Sequence, residues 1–253
     1  DSAMMICGPG RETVPVRRKN EKEKGRICRM ITAHSGCDST PENSVEFLEK
    51  ALGMEVDAVE IDVRKSRDGR LILSHDETEE DAVSLEEAFR MAEEYPEKKV
   101  NCDLKEKGLE EEVYRLAAAY GMEDRLIFTG DVNPELFRKG SGRFPGVLWY
   151  ANFEVFRPEA YRLAGTEEGR KEIADQLPEV IRELADFDAA GINWHYSLAE
   201  QVLDLAEETG TGVSVWTVDD EALQRHFLRR HVDNITSRKA EQLIRLRNEE
   251  QQS

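Results

Sequence analysis

Cysteine is scarce and scattered. The 253-residue chain carries four (Cys7, Cys28, Cys37 and Cys102), none in a CxxC pair. That is too sparse for a disulfide framework and reads as reduced thiols. Long hydrophobic runs are missing too: no stretch approaches the roughly 18 apolar residues of a membrane span, and the first residues hold no signal-peptide core. The expectation is a chain without a transmembrane segment, cytoplasmic, or secreted should a leader have been removed ahead of Asp1. Excess positive charge is lacking as well. The net charge of -18 argues against a nucleic-acid partner, because phosphate contact needs clustered Lys and Arg. A small-molecule partner, even one bearing phosphate, stays open if its site is locally cationic. Nothing in the sequence sets an oligomeric state.

What is present begins with a core. Apolar residues make up 39% and charged residues 35%, enough for a sizeable interior under a charged surface. Residues 1–27 stand apart. Asp1-Ser2-Ala3 has the look of a cloning remnant, and residues 17–26 are a basic run with no apolar period. They are expected to form a flexible arm. A weak contact with an anionic membrane, at about 1 kcal/mol per basic residue, is the sharper alternative.

From residue 28 short β-branched runs alternate with helical patterns. Strands are expected over 29–34, 57–63, 99–104, 125–129, 146–151, 190–195, 212–218 and 232–236. Helices are expected over 43–53, 84–95, 109–120, 134–139, 170–187, 198–209, 221–230 and 239–248, with 154–169 irregular. This eightfold alternation predicts a (β/α)₈ TIM barrel over residues 28–253. A doubly wound open sheet is the runner-up, but the Gly-rich phosphate turn it usually shows after its first strand is absent. Leu71-Ile72-Leu73, after Arg67-Asp68-Gly69, reads as the return strand of a hairpin that brings His75 back to the barrel mouth.

Chemistry-bearing residues gather at these strand ends. Side chains alternate along a strand, so Glu60 and Asp62 face the barrel axis when Val59, Ile61 and Val63 face the helices. The same parity turns Asp103 and Lys105 inward and Leu104 outward. Three oxygen ligands suit Mg²⁺ or Ca²⁺; without a cation they repel one another and raise their pKa values. An isolated ExD is more often a plain ion-pair residue set, but here His34 and His75 flank the cluster. Two histidines beside such a site can serve as general acid and general base, as phosphodiester cleavage requires.

At these residues the sequence resembles the glycerophosphodiester phosphodiesterase family. Its pattern is an HRG-type start, PEN, ExD, HD, a later [ED]-x-K, WTV and a closing I-T. Here these are His34-Ser35-Gly36, Pro41-Glu42-Asn43, Glu60-Ile61-Asp62, His75-Asp76, Asp103-Leu104-Lys105, Trp216-Thr217-Val218 and Ile235-Thr236, in family order over about residues 30–240. The resemblance implies a metal-dependent barrel that hydrolyses glycerophosphodiesters to glycerol 3-phosphate and an alcohol. It implies His34 and His75 as the acid/base pair, one divalent cation (Mg or Ca) held by Glu60, Asp62 and Asp103, and Lys105 against the phosphate.

Three departures stand out. Ser35 replaces the family's arginine, and a hydroxyl does not substitute for a charged fork. The third carboxylate is aspartate where many members have glutamate. Only Glu77 to Val83 separates His75-Asp76 from the next helix, where the family often carries a long insertion. These departures also bring the chain near the spider-venom phospholipase D branch of the same barrel group. Cleavage through a cyclic phosphate, and a non-catalytic phospho-ligand-binding barrel, are therefore the alternatives.

Ser35, Trp216 and Asn43 complete the expected substrate side. Trp216 reads equally as pocket lining or as barrel core. Asn43 is also of the type that caps helices. His195 ends its strand with ambiguous parity and is left outside the catalytic set. Cys37 is expected to be an inert thiol. Glu79-Glu80-Asp81 and Glu110-Glu111-Glu112 are expected to be solvated helix ends.

Overall fold

The computed structural model describes residues 30–78 and 82–252. The arm expected over residues 1–27 and the acidic run Glu79-Glu80-Asp81 lie outside the described residues. In chain order the strands are β1 (Met30–Ala33), β2 (Ala58–Lys65), β3 (Leu71–Leu73), β4 (Lys99–Leu104), β5 (Leu126–Gly130), β6 (Leu148–Asn152), β7 (Gly191–His195), β8 (Gly212–Trp216) and β9 (Asn234–Ser237). All but β3 run parallel, and the pairing of β1 with both β2 and β9 closes them into an eight-stranded barrel. β3 lies antiparallel on the end of β2. The chain is therefore a (β/α)₈ TIM barrel with a flap on its second strand.

The helices are α1 (Val45–Leu52), α2 (Leu85–Glu93), α3 (Glu110–Ala119), α4 (Ala160–Ala164), α5 (Glu167–Leu184), α6 (Ala199–Thr209), α7 (Glu221–Arg229) and α8 (Ala240–Gln251). Ser44, Ser84, Thr166 and Asp220 start α1, α2, α5 and α7 by accepting the backbone N–H three residues on, the standard way to satisfy a free helix start. The N-cap of α1 is thus Ser44, not Asn43.

Two expectations about elements change. Residues 134–139 do not form an α-helix; Pro134–Phe137 is a single 3₁₀ turn, and Gly140 and Gly142, both at positive φ, follow it. The barrel wall there is covered by aromatic rings instead. Phe137 packs on Trp149 at 4.9 Å and on Phe144 at 5.2 Å, with Phe128 and Phe187 set edge-on to the group. Such contacts add about 0.5–1.5 kcal/mol each beyond burial. The stretch 154–169 is also more regular than expected, because it holds α4 and the first turn of α5. α4 is too short for a helical period to show. It meets α5 so closely that a Cβ on Gly169 would sit 1.9 Å from the Leu163 carbonyl oxygen.

Inside the barrel the layers change character from bottom to mouth. Met30, Ala58, Ile127 and Tyr150 form an apolar plug at the strand starts. Above it lies a buried polar layer: the Thr32 hydroxyl donates to Asn234 Oδ1 at 2.7 Å, and Asn234 Nδ2 donates to the Ser214 and Thr236 hydroxyls. Outward-facing Val59, Ile61, Val63, Cys102 and Leu104 are all buried against the helices. That confirms the alternation along β2 and β4 and turns their polar partners toward the mouth.

Candidate active site

The C-terminal ends of the strands enclose a cavity of about 800 Å³, the face on which barrel enzymes build their sites. Glu60 and Asp62 of β2 and Asp103 of β4 point into it, and one oxygen of each lies within 4.8 Å of the others. Register explains the convergence: Asp62 is directly opposite Asp103, and Glu60 opposite Asn101. Three hard oxygen donors at this spacing fit a divalent cation. The cluster's electrostatics point the same way. Burial pushes the Glu60 carboxyl up to about 7; Asp62 and Asp103 push in the same direction and His34 opposes them.

Lys105 sits beside the cluster as a built-in counter-charge. Its ammonium is 2.8 Å from Asp62 Oδ1 and also pairs with Asp103. Burial alone would lower its pKa, but those two carboxylates hold it above the ordinary lysine value. Asp62 is affected in reverse. Burial would raise it, yet Lys105 and Asn43 keep it below the usual range.

Asn43 holds Asp62 at two points, donating from Nδ2 to the carboxylate at 2.7 Å and accepting the Asp62 backbone N–H at 3.0 Å. It lies outside the cavity lining, so its side chain supports the cluster rather than meeting a ligand. Ser35 departs further from expectation. It is fully buried, its hydroxyl accepts the Asn43 backbone N–H at 2.7 Å, and its own N–H donates to Glu60 at 2.9 Å. The hydroxyl is engaged behind the cluster and is not turned toward the cavity. Gly36, at φ 77°, lets the PEN segment close over this point: a Cβ there would lie 2.7 Å from Glu42 Cγ. Gly130 does the same at β5, where a Cβ would meet Asp103 Oδ1 at 2.8 Å and the Leu104 carbonyl oxygen at 2.3 Å.

Both histidines line the cavity. His34 follows β1, and its Nδ1 lies 2.8 Å from the Ser35 carbonyl oxygen. A carbonyl only accepts, so this contact places a proton on Nδ1 and leaves Nε2 as the free ring nitrogen. The His34 side chain is 16% exposed and 3.7 Å from Glu60. His75 is brought back by the flap. Its Nδ1 pairs with Asp76 at 2.9 Å, and its side chain is 61% exposed. The two histidines thus differ in setting: one is anchored, the other open to solvent.

Trp216 lines the cavity at the end of β8, with its Nε1 buried. His195 lines it too, set edge-on to Trp216 at 5.2 Å and tilted on Tyr196 at 4.5 Å. Burial lowers its pKa. Thr129, Asn152, Asn193 and Arg238 were not singled out from sequence, yet all line the cavity. The available signal was their place at strand ends. Glu110 is the reverse case. It was expected in solvent, but it is buried and accepts the Asn133 backbone N–H at 2.6 Å. Cys37 is buried, and burial with the Asp38 charge pushes its thiol up to about 12, consistent with an unreactive group.

Comparison with known proteins follows the same residues. Residues 34–133 match the model of the glycerophosphoryl diester phosphodiesterase family. The match takes in the first five of the seven motifs, from His34-Ser35-Gly36 to Asp103-Leu104-Lys105. The matched span contains the expected acid/base pair His34 and His75, the expected metal ligands Glu60, Asp62 and Asp103, and Lys105, expected against the phosphate. A glycerophosphodiester phosphodiesterase from Caldanaerobacter subterraneus subsp. tengcongensis is 36% identical over 50 residues, covering 19% of this chain and 21% of that protein. The chain thus aligns with about a fifth of that curated relative's length. Among solved structures, a glycerophosphodiester phosphodiesterase from Parabacteroides distasonis superposes with a TM-score of 0.66 at 18% identity, covering 89% of this chain and 99% of that one. A phosphodiesterase from Oleispira antarctica, solved with the product sn-glycerol-3-phosphate, gives a TM-score of 0.62 at 21% identity, covering 87% and 97%. At such identities these likenesses establish the fold. Among the described residues no helix is long and apolar enough to cross a membrane.

Proposed function

We propose that this chain is a metal-dependent phosphodiesterase that hydrolyses glycerophosphodiesters to glycerol 3-phosphate and an alcohol. The carrying observation is the convergence of Glu60, Asp62 and Asp103 with His34 and His75 on one cavity, inside the segment that matches the family. The Oleispira antarctica relative bound to sn-glycerol-3-phosphate supports the substrate class.

Glu60, Asp62 and Asp103 would hold one divalent cation, Mg²⁺ or Ca²⁺, which when bound supplies charge to the phosphoryl oxygens and the attacking oxygen. This chain's own residues do the rest. Lys105 balances charge at the phosphoryl group. One histidine accepts the proton of the attacking hydroxyl or water as its oxygen bonds to phosphorus. The other donates a proton to the leaving alcohol oxygen as the P–O bond breaks. His34, with Nδ1 tied to the Ser35 carbonyl, offers Nε2 for the first role. His75, open to solvent, suits exchange of its proton with water after each turnover. Asn152, Asn193, Tyr196 and Trp216 on the far wall would take the alcohol and glycerol groups.

The test is a panel of glycerophosphodiesters incubated with Mg²⁺ or Ca²⁺ and followed by phosphorus NMR. Glycerol 3-phosphate is the expected product, whereas a persistent cyclic phosphate would assign the phospholipase D-like route. EDTA should stop turnover and added Mg²⁺ or Ca²⁺ restore it. Full activity in exhaustively metal-free protein would sink the carboxylate assignment. No turnover of any member would leave a barrel that only binds phosphorylated ligands.

A further inference from the structure

A phosphodiester entering a cavity with a carboxylate cluster at its base needs fixed positive charge. Among the described residues lining the cavity, the permanent cations are Lys105 and Arg238. Lys105 is already held between Asp62 and Asp103. Its single charge is shared between those two carboxylates and the phosphoryl group, so it offers the substrate less than one full positive charge. Arg238 is in a different position. Its guanidinium pairs with Glu42 Oε1 at 3.5 Å, and its side chain is 44% exposed. Geometry at this limit is a loose surface pair, worth little on its own.

The Arg238 backbone, by contrast, is firmly placed. Its N–H donates to Asp219 Oδ1 at 2.7 Å, and its carbonyl accepts the Asp38 N–H at 2.8 Å. Barrel closure puts it beside the first histidine: Ala33 is in register with Ser237, and the His34 N–H donates to the Ser237 carbonyl at 2.9 Å. Arg238 therefore enters the mouth next to His34 and Ser35. It leaves the eighth barrel strand, in the loop region that often binds phosphate in this architecture.

We propose that Arg238 is the phosphate-binding guanidinium of this chain. It grips the non-bridging oxygens of the substrate phosphoryl group from the β9 side of the cavity, and Glu42 holds it in place until substrate displaces the pair. The proposal rests on the phosphodiesterase reading for its substrate, but not for its test. Position 35 has no cation, and the Ser35 hydroxyl is committed to Asn43; a planar fork supplied from β9 fills that need.

The probes are glycerol 3-phosphate and inorganic phosphate, titrated calorimetrically into Mg²⁺-saturated protein. Arg238→Gln should weaken both by about 10- to 100-fold, the range for charge-assisted hydrogen bonds. Arg238→Lys should fall between it and wild type. Glu42→Gln should tighten both by about threefold, as expected when a weak competing pair is removed, and this gain should vanish in the Arg238→Gln background. Mg²⁺ affinity and melting temperature should stay at wild-type values, because the guanidinium touches neither ligand nor core. Wild-type phosphate affinity in Arg238→Gln overturns the proposal. So does a Glu42→Gln gain that persists without Arg238, or a wild-type protein that binds neither probe. If phosphate binds through Arg238 but no glycerophosphodiester is cleaved, the phosphodiesterase reading fails and this site stands.

Discussion

The two sides of the cavity are built from different chemistry. The wall formed by β1, β2, β4 and the flap carries His34, Glu60, Asp62, His75, Asp103 and Lys105. Apart from the solvent-open His75, its charged groups are buried or clamped, each fixed by a named partner. The wall formed by β6, β7 and β8 carries Asn152, Asn193, His195, Tyr196 and Trp216. There an amide pair (Asn193 Nδ2 to Asn152 Oδ1, 3.0 Å) and tilted or edge-on rings stand where the other wall has its carboxylate cluster, and the acidic residues of this side that line the cavity are Glu154 and Asp219. Taking carboxylates out of water costs several kcal/mol each unless they are paired. The charged wall therefore bears a stability cost that chemistry would justify, while the neutral wall offers contact area and hydrogen bonds without that cost. On the proposed function, bond breaking would fall to the first wall and recognition of the organic groups to the second.

The strongest way to break this division is at the histidines. His34→Ala or His75→Ala should lower turnover by about 10²- to 10⁴-fold, the usual contribution of one acid/base group, with the melting temperature nearly unchanged. Near-normal turnover in either purified variant would remove that residue from the charged wall's chemistry.

The next effect is on stability. Glu60 ionises at about 7 when folded, against an ordinary value of 4.5. A carboxyl raised on folding supports the fold fully below its unfolded value, and that support is lost as pH rises through its folded value. Metal-free protein should therefore lose up to about 3 kcal/mol between pH 4.5 and 7.5 from this group, at 1.36 kcal/mol per unit. Thermal melts in EDTA should show wild type falling relative to Glu60→Gln across that window, and saturating Mg²⁺ or Ca²⁺ should abolish the fall. Parallel curves for the two proteins would contradict the buried-cluster account.

Asn43→Gly comes third. Asn43 has φ 52°, so glycine keeps the backbone relaxed while removing both contacts to Asp62. Loss of about 2 kcal/mol in stability and a 10- to 100-fold drop in metal affinity are expected, read by denaturant unfolding and by metal titration. Unchanged metal affinity would mean Asp62 is positioned without it. The smallest effect should come from the neutral wall: Trp216→Leu should raise KM by about tenfold, within the range of a lost aromatic contact, and leave kcat intact. A large fall in kcat with KM unchanged would place Trp216 in the chemistry instead.

Much of the charged wall was legible because its signals are local. ExD in a β-branched run, Asp103-Leu104-Lys105 in the next, and a Gly after His34 all act through strand parity or turn geometry over a few residues. The neutral wall was less legible. Asn152, Asn193 and Arg238 carry no local pattern, and the ambiguous parity of His195 resolved only when Asn193 and His195 paired in register with Ser214 and Trp216. Ser35 misled for a related reason. Its place in the motif, where the family has an arginine, suggested a ligand contact, but its partner is the backbone of Asn43, eight residues on, across a turn that Gly36 permits. The missing helix after β5 was hidden because Pro134 and its neighbours satisfy helix-start preferences, while the aromatic cluster that replaces the helix is assembled from four separate segments.

Residue order alone determined the alternation of strands and helices, the flap, and which carboxylates turn inward. These follow from a period of two along a strand and the conformational limits of a few residues. Tertiary structure alone decided who meets whom: Asn43 with Asp62, Lys105 between two aspartates, and Arg238 beside His34 and near Glu42, 196 residues away in sequence. The physical reason is closure. A parallel barrel joins its first and last strands by hydrogen bonds that leave no mark in either segment, and the cavity that holds these residues closes only at that seam.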